Sequence, residues 1–390
     1  MKEILIEGKY ATAKCFVVDN EANAIDTHAR AQIKMICDDE ISKDAIIRVM
    51  PDVHAGKVGP IGLTMKLTHE RIIPNLLGND LGCGITVAKL RTKTKKLTDS
   101  DFTKLDKVIN ETVPSGTGLH KGVVVSELVS NIIFPKNVPI DKERILRSIG
   151  TLGGGNHFIE VGRNENGEYF LVVHSGSRSL GPVINDYYNK KGQEILKSNG
   201  IEVPYEMTYI TGDLCNKYIM DVFCATRFAS FSRNEIIDII CKSMKWKYDI
   251  YSDIPHNYFD PHNNMLHKGS ISCFDHTACN LTIEPCSMVF IPINMGDGII
   301  YGFSMPNSDW NYSLPHGSGR LIPRSEVANS VTVSSFKKEM KGIYSTSVRK
   351  DTLDESPFAY RRIDELKEAI SGVVDVKGVL TPVYNFKAGR

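Results

Sequence analysis

Hydrophobic and polar positions follow two kinds of pattern along this chain. Apolar residues recur at helical spacing in residues 99–110, 184–197 and 359–371, and in pieces of 205–246. Runs rich in β-branched and aromatic residues predict strands in GITVAKL, EYFLVVHSG, SMVFIPINM and GIIYGFSM. Predicted helices and strands do not alternate strictly. The pattern therefore favours an α+β fold over a doubly wound parallel sheet.

Length, composition and charge narrow the class of protein. The 390 residues suffice for a large core, and 42% hydrophobic and 24% charged residues are typical of a globular chain. No repeat or linker marks a boundary, so we expect one domain over residues 1–390. The formal net charge of +1 means that any nucleic-acid contact must rest on a local patch. Nine cysteines without disulfide spacing, no signal-peptide core and no membrane-length apolar run predict a cytoplasmic protein.

Two glycine-rich segments fail as common nucleotide sites. SGTGLHKG has the glycines of a phosphate-binding loop but neither its spacing nor its final hydroxyl residue. In TLGGGNHF, the third glycine is followed at once by Asn156 and His157 and not by a helix start. A nucleotide site in this chain must therefore be of a less common kind.

Groups able to bind metal interrupt several apolar, strand-like runs. Asp80 and Cys83 form a D-x-x-C pair among glycines, and His157, His174 and His256 lie beside other apolar runs. Taken singly, each is typical of a buried cysteine, a turn aspartate or a core histidine. Taken together, they offer a ligand set for one or two transition-metal ions. The residues leave zinc, iron and manganese equally open.

Two loops carry a further histidine and a further carboxylate. SLPHGSGR places His316 before glycine and four residues before Arg320, so an imidazole could reach a phosphorus while the guanidinium binds phosphate oxygens. MPDVHAGKVGPIG offers Asp52, which could orient a histidine through a carboxylate hydrogen bond. Both loops are also compatible with ordinary turns.

Eight segments, taken in chain order, resemble the RtcB family of RNA ligases. They are MPDVHAGKVGPIG, GNDLGCGI, TLGGGNHFIEV, VVHSGSRSLG, IPHNYFD, LHKGS, LPHGSGR and the ending DESPFAYRRIDELKEAI…LTPVYNFKAG. The resemblance covers the chain from about residue 50 nearly to its end. It implies a single α+β domain with mixed and antiparallel sheets around a central dinuclear metal site, and with peripheral helices.

The resemblance also implies roles for individual residues. The metal ligands would be Asp80, Cys83, His157, His174 and His256, with the Cys83 sulfur shared between two Mn²⁺ ions. His316 would form a covalent bond to guanylate, and Asp52 would orient it. Contacts to the nucleotide would come from Asn156, Glu160, Asn294, Gly317, Ser318, Gly319 and Lys387. Phosphates of the nucleotide or of the RNA ends would meet Arg178, Lys268 and Arg320.

The activity implied by the resemblance is a GTP- and Mn²⁺-dependent RNA ligation. A 2′,3′-cyclic phosphate or 3′-phosphate end would be joined to a 5′-hydroxyl end in RNA repair or tRNA splicing, with an archease-like protein as a candidate activator. Two alternatives stay open. One is a dinuclear metal-dependent phosphoesterase, and the other is a non-catalytic RNA-binding relative of the ligase.

Two segments depart from the family pattern. PINMGDGI has Ile293 and Asn294 where the family usually has Gly and Ser, and LHKGS has His267 and Ser270 where Arg and Ala are usual. These changes predict a divergent branch whose nucleotide contacts are altered.

Overall fold

The computed structural model describes residues 2–18, 25–68, 70–92, 96–124, 132–274 and 287–389. The strands are β1 Lys2–Glu7, β2 Thr12–Val17, β3 Ile46–His54, β4 Ile61–Lys66, β5 Arg71–Ile72, β6 Gly84–Arg91, β7 Phe158–Arg163, β8 Tyr169–Ser175, β9 Ile210–Thr211, β10 Lys247–Pro255, β11 Asn257–Asp260, β12 Met265–Lys268, β13 Ser270–Ser272, β14 Met288–Asn294, β15 Gly298–Ser304, β16 Ser313–Pro315 and β17 Val374–Lys387. The helices are α1 Thr27–Asp38, α2 Pro74–Leu77, α3 Asp99–Thr112, α4 Lys142–Leu146, α5 Leu180–Ser198, α6 Gly212–Met244, α7 Val327–Ser330, α8 Val333–Glu339 and α9 Ile363–Ile370.

Two large sheets dominate the described residues. One has six strands in the order β1-β2-β3-β4-β12-β11, and the other has seven in the order β10-β6-β8-β7-β17-β15-β14. The seven-stranded sheet is antiparallel throughout, whereas β2 and β3 pair in parallel and are joined through α1. This mixture of antiparallel sheets and unevenly placed helices confirms the predicted α+β class.

Helix α6 packs in the two largest hydrophobic cores. Its first half contributes Tyr218 and Phe228 to the core that includes residues of the six-stranded sheet. Its second half contributes Ile236 and Ile240 to the core that includes residues of the seven-stranded sheet. One helix of 33 residues, roughly 50 Å long, thus packs in both cores.

The helices match the predicted segments with one difference. Helices α3 and α5 contain the predicted 99–110 and 184–197, and α9 lies inside 359–371. Residues 205–246, predicted as pieces, instead form a short 3₁₀ turn at Tyr205–Met207 and then the single helix α6. Because the two halves of α6 pack in different cores, no single apolar stripe follows its whole length, and its periodicity is interrupted in sequence.

Two expectations about the chain as a whole concern membranes and cysteines. Among the described helices, none is long and apolar enough to cross a bilayer. The seven cysteines in the described residues are buried free thiols.

Candidate active site

Four of the five predicted metal ligands lie at the same end of neighbouring strands, and the fifth, Asp80, lies three residues before Cys83. Cys83 directly precedes β6, His157 precedes β7, His174 is near the end of β8, and His256 follows β10. The four strands are adjacent in the order β10-β6-β8-β7, and His174 is the register partner of both Phe158 and Ile85. The antiparallel pairing of these strands therefore brings residues from distant parts of the chain to the same end of the strands.

Their side chains converge around the Cys83 sulfur. Its Sγ lies 3.2 Å from His174 Nε2 and 3.5 Å from His157 Nε2. His174 Nε2 is 3.4 Å from His256 Nε2, and His157 Nε2 is 3.7 Å from an Asp80 carboxylate oxygen. The ligand atoms form two groups, Cys83/His174/His256 and Asp80/Cys83/His157, each within 4.8 Å. Cys83 belongs to both groups, so its sulfur is placed where a thiolate could serve two cations.

Backbone contacts orient the imidazoles. His157 Nδ1 is 3.0 Å from the Leu152 carbonyl, and His174 Nδ1 is 3.2 Å from the Asn156 carbonyl. These carbonyls accept an Nδ1–H, which leaves each Nε2 lone pair directed toward Cys83. Gly82 has φ +70°, and a Cβ there would lie 2.6 Å from Thr226 Cα of α6, so the turn before Cys83 requires glycine.

The buried histidines of the metal-free protein have protonation states that are compatible with metal binding. Burial lowers the pKa of His174 and of His256, so both imidazoles are neutral and able to coordinate. Burial, together with the Asp80 charge, raises the pKa of the Cys83 thiol, and a bound cation would reverse that preference. One carboxylate, one thiol and three imidazoles are a donor set that fits one or two transition-metal ions.

A second feature is the pair formed by His316 and Asp52. His316 follows β16, and its Nδ1 lies 2.6 Å from a carboxylate oxygen of Asp52 on β3. The same oxygen accepts hydrogen bonds from the backbone N–H groups of His316 and Gly317, at 3.2 and 3.3 Å. The carboxylate therefore fixes the Nδ1–H tautomer and leaves Nε2 as the reactive nitrogen. The His316 ring centroid is 4.7 Å from that of His256, one of the candidate metal ligands.

One pocket joins this pair to the candidate metal site. It is lined by His316, by His174 and His256, and by all seven residues that the resemblance assigns to the nucleotide: Asn156, Glu160, Asn294, Gly317, Ser318, Gly319 and Lys387. The loop that carries His316 is anchored because the Ser318 hydroxyl donates to the Ile293 carbonyl at 2.9 Å. The structure therefore brings the predicted nucleophile, metal ligands and nucleotide residues together.

Five polar residues that the sequence did not single out also line this pocket: His54, Arg324, Glu355, Tyr360 and Asn385. Lys387 Nζ lies 2.5 Å from Glu355, and Arg324 also contacts this carboxylate. Burial alone would raise the pKa of Glu355, but the charges of Lys387 and Arg324 lower it to about 2. The quoted DESPFAYRR segment, with charged residues among apolar ones, was the available signal for Glu355 and Tyr360.

His54 lies close to the nucleophile. Its Nδ1 is 2.9 Å from the Asp52 backbone carbonyl, and burial lowers its pKa to about 4. The Asp52 residue thus contacts two histidines, His316 through its carboxylate and His54 through its carbonyl. His54 is neutral at physiological pH.

The three residues predicted to contact phosphates are held by protein groups. Arg178 donates to Thr151 Oγ1 at 3.0 Å and to the Gly116 carbonyl. Lys268 is hydrogen-bonded to the Leu77 carbonyl, and burial lowers its pKa. Arg320 lines the pocket and donates to the hydroxyl of Tyr360 at 3.0 Å. Their assignment to phosphates remains a prediction.

A comparison with protein families identifies the chain's relatives. The model described as tRNA-splicing ligase RtcB matches residues 37–138 and 129–388. The chain belongs to the RtcB family. It is 26% identical to the RNA-splicing ligase RtcB of Escherichia coli K12, over 87% of this chain and 90% of that protein. It is 27% identical to the tRNA-splicing ligase RtcB of Aeropyrum pernix, over 83% and 84% of the two chains.

The altered segment of this RtcB-family chain forms the β14–β15 hairpin. Asn294 Oδ1 accepts the backbone N–H groups of Gly296 and Asp297, both at 2.9 Å, and its Nδ2 donates to the Asp297 carboxylate. This is the local bonding of an asparagine turn. Asn294 therefore lines the pocket while its amide is engaged in the turn.

Proposed function

We propose that the protein is a GTP- and Mn²⁺-dependent RNA ligase. It would join RNA ends that carry a 2′,3′-cyclic phosphate or 3′-phosphate to 5′-hydroxyl ends, in RNA repair or tRNA splicing. Its relatives are named as RNA-splicing and tRNA-splicing ligases, which supports this class of substrate. A covalent His316–GMP intermediate is part of the proposal.

The observation that carries the proposal is the position of His316. A metal-dependent phosphoesterase needs the ligand cluster but has no need of a second, carboxylate-oriented histidine in the same pocket. Here the His316 ring lies 4.7 Å from the ring of His256, and its Nδ1 is held by the buried Asp52. This arrangement is that of a nucleophile with its orienting group.

In the first step, His316 Nε2 attacks the α-phosphorus of GTP. A P–N bond forms, the bond to the bridging oxygen breaks, and pyrophosphate leaves. Asp52 holds the Nδ1 proton and stabilises the positive charge that develops on the imidazole. Lys387, Arg320 and Arg324 place positive charge at the pocket, where it favours binding of a phosphorylated nucleotide.

A 2′,3′-cyclic phosphate end is first opened by water, which breaks the P–O2′ bond and gives a 3′-phosphate and a 2′-hydroxyl. An oxygen of the 3′-phosphate then attacks the guanylate phosphorus on His316, so a P–O bond forms, the P–N bond breaks and His316 is released. The 5′-hydroxyl oxygen of the second RNA then attacks that activated phosphorus, and GMP leaves. Guanylylation converts a poor electrophile into one with a good leaving group, so one difficult substitution becomes two easier ones.

The metal ligands named above would hold Mn²⁺. Asp80, Cys83 and His157 form one group, and Cys83, His174 and His256 form the other. Bound there, the cations would supply charge neutralisation for phosphate groups. The three imidazoles, the carboxylate and the shared thiol make the site compatible with two ions.

The test uses purified protein, Mn²⁺ and GTP labelled at the α-phosphate. We expect covalent label on wild-type protein and none on His316→Ala. The matched control is His262→Ala, because His262 is an exposed histidine between β11 and β12, outside the pocket. The control should be labelled like the wild type.

Broken RNA then separates the proposal from its alternatives. A phosphoesterase would release phosphate from these ends without GTP and would retain activity in His316→Ala. A non-catalytic RNA-binding protein would bind the RNA and leave its ends unchanged. Either result, with no label from GTP, contradicts the proposal. Adding an archease-like protein to the same assay tests the proposed activator.

A further inference from the structure

Arg361 contacts both of the segments that carry the pair formed by His316 and Asp52. It lies just before α9 and is 5% exposed. Its Nη2 donates to the carbonyl of Val53, the residue after Asp52 in β3, at 3.4 Å. Its backbone N–H donates to the carbonyl of Gly319, three residues after His316, at 3.2 Å. Arg361 therefore joins the strand that carries the carboxylate to the loop that carries the proposed nucleophile.

The packing around Gly319 shows how closely these segments approach one another. Gly319 has φ +73°, and a Cβ at this position would lie 2.3 Å from the Asp52 carbonyl oxygen and 2.4 Å from Arg361 Nη1. Only glycine fits between two such groups. The Arg361 guanidinium and the Asp52 backbone therefore pack against the same residue of the His316 loop.

The Asp52 carboxylate is fully buried and is hydrogen-bonded through one oxygen. Its Oδ2 accepts the three hydrogen bonds described above, from His316 Nδ1 and from the backbone N–H groups of His316 and Gly317. Its Oδ1 is buried and has no hydrogen-bond partner among the residues that the structure describes. An ionised carboxylate in such a site is costly unless positive charge lies nearby.

Arg361 provides positive charge near this carboxylate. Burial lowers the pKa of Arg361, and the negative charge of Asp52 is the largest effect that opposes this. Glu365 and Asp26 act in the same direction as Asp52, but more weakly. A guanidinium keeps its proton in proteins, so Arg361 is a cation at physiological pH. His54, which also contacts Asp52, is neutral at that pH and cannot supply the charge.

The charge state of Asp52 determines which nitrogen of His316 has a free lone pair. An ionised carboxylate only accepts hydrogen bonds, so it keeps the imidazole proton on Nδ1 and leaves Nε2 free to attack phosphorus. A protonated carboxyl group would instead donate to Nδ1, and the imidazole proton would move to Nε2. An imidazole in that tautomer has no lone pair on the reactive nitrogen.

We propose that Arg361 is a positioning residue for His316, on which it acts through Asp52. Its charge keeps the Asp52 carboxylate ionised, and its packing against Gly319 holds the His316 loop beside β3. This inference rests on the proposed function, in which His316 is the nucleophile. It adds to that function a residue that is not among those lining the pocket.

The first experiment measures the rate of covalent labelling by GTP at several GTP concentrations with Mn²⁺, for wild type, Arg361→Gln and Arg361→Lys. Glutamine keeps an N–H donor for the Val53 carbonyl but removes the charge. We expect Arg361→Gln to lower the maximal rate by about a hundredfold, the effect of a wrong tautomer in part of the molecules. The GTP concentration that gives half of the maximal rate should change little, because the nucleotide site is intact.

Two further variants decide whether the charge of Arg361 is responsible. Arg361→Lys restores the charge without the planar donor group, and should recover about tenfold of the lost rate. The matched control is Arg362→Gln, because Arg362 is the exposed neighbour in the same segment, and it should be labelled at the wild-type rate. A wild-type maximal rate in Arg361→Gln, or no recovery in Arg361→Lys, overturns the inference.

The second experiment determines the tautomer of His316 without GTP or Mn²⁺. Nitrogen NMR of protein with isotope-labelled histidine side chains distinguishes protonated from unprotonated ring nitrogens, and the His316 signals are those missing from His316→Ala. At about pH 8, where an ordinary imidazole is neutral, we expect the Nδ1–H tautomer in wild type and a substantial share of the Nε2–H tautomer in Arg361→Gln. The signals of the exposed His262 should be unchanged, which excludes a general folding defect. An unchanged His316 tautomer in Arg361→Gln overturns the inference.

The two experiments separate this inference from the proposed function. If the His316 tautomer depends on Arg361 but GTP leaves no label on wild type, the positioning role stands and the ligase proposal fails. If Arg361→Gln is labelled at the wild-type rate, the ligase proposal stands and the inference fails. If wild type is not labelled and the tautomer does not depend on Arg361, both are refuted.

Discussion

Replacing Arg233 with methionine tests how the candidate metal ligands are held in place. Arg233 is 0% exposed in the middle of α6. Its guanidinium donates to the carbonyls of Gly82 at 3.0 Å and Ser175 at 2.9 Å, and it forms an ion pair with Asp253 at 2.8 Å. Gly82 and Ser175 adjoin Cys83 and His174 in sequence. Arg233 therefore ties α6 to two of the ligand-bearing segments.

The expected loss of stability follows from these partners. Removing one member of a buried ion pair costs about 3–5 kcal/mol, because the other charge is left uncompensated. The Asp253 side chain is 16% exposed, so water relieves part of its cost, but two carbonyls also lose a donor. We expect Arg233→Met to lower the free energy of unfolding by about 4 kcal/mol in metal-free buffer.

Urea unfolding in the presence of a chelator measures this change, and a Mn²⁺ titration of the folded variant measures affinity. We expect at least a tenfold weaker affinity, since the strand ends that carry Cys83 and His174 lose a common anchor. Asp253→Asn combined with Arg233→Met should recover part of the stability, because it removes the unpaired charge.

Arg227→Met is the matched control for this prediction. Arg227 lies on the same helix, is partly exposed and sits over the ring of Phe231, so its loss should cost about 1 kcal/mol or less. If Arg233→Met loses no more unfolding free energy than this control, the stability assigned to the Arg233 contacts is wrong. If it is destabilised but binds Mn²⁺ with wild-type affinity, Arg233 supports the fold without positioning the ligands.

Three further predictions concern single side chains. Cys83→Ser should bind less Mn²⁺ after dialysis, measured as metal content per chain, because the shared sulfur is lost. Burial raises the pKa of Glu160 from 4.5 to about 8. Between these pH values the folded protein keeps a proton on Glu160 that the unfolded chain has released, so the free energy of unfolding falls as the pH rises from 4.5 to about 8. Glu160→Gln should therefore be more stable than wild type at pH 9, on the order of 4 kcal/mol in urea unfolding; an equal stability would contradict the shift. Glu355, whose pKa is lowered to about 2, contributes stability above pH 4.5 that is lost as pH falls through 2. Glu355→Gln should thus be destabilised at pH 7 by about 3 kcal/mol, with the difference vanishing near pH 2 in the same assay.

The candidate metal ligands stand out in the sequence because they interrupt local patterns. Cys83, His157 and His174 stand at the ends of apolar strands, where polar side chains are uncommon unless they have partners. Their convergence could not be derived from spacing, because it depends on which strands are neighbours. The order β10-β6-β8-β7 is a property of the whole sheet, which the sequence did not predict. Only the family resemblance implied in advance that these residues share one site.

Other parts of the site could not be predicted from local pattern. Asn385 lies in a strand of mixed apolar and polar residues, and its place in the pocket wall depends on its contact with the residue opposite, Glu160. Glu355 lies in a 3₁₀ segment, and its carboxylate belongs to the pocket only because it pairs with Lys387, which is distant in sequence. In both cases the signal is a contact between buried polar groups from distant parts of the chain, which no short window of sequence contains.

The pocket contains residues from both large sheets, so unfolding of either sheet should abolish activity. Loss of activity through unfolding can be distinguished experimentally from loss of activity in folded molecules. Asp52 belongs to the six-stranded sheet, and the ligands adjoin strands of the seven-stranded sheet. His316 reaches His256 only when the two sheets are correctly packed, and α6 contributes to the cores of both. A core substitution distant from the pocket should therefore lower His316 labelling in proportion to the folded fraction. A change at Arg233 should lower it in molecules that are still folded, because there the strand ends move while the cores persist.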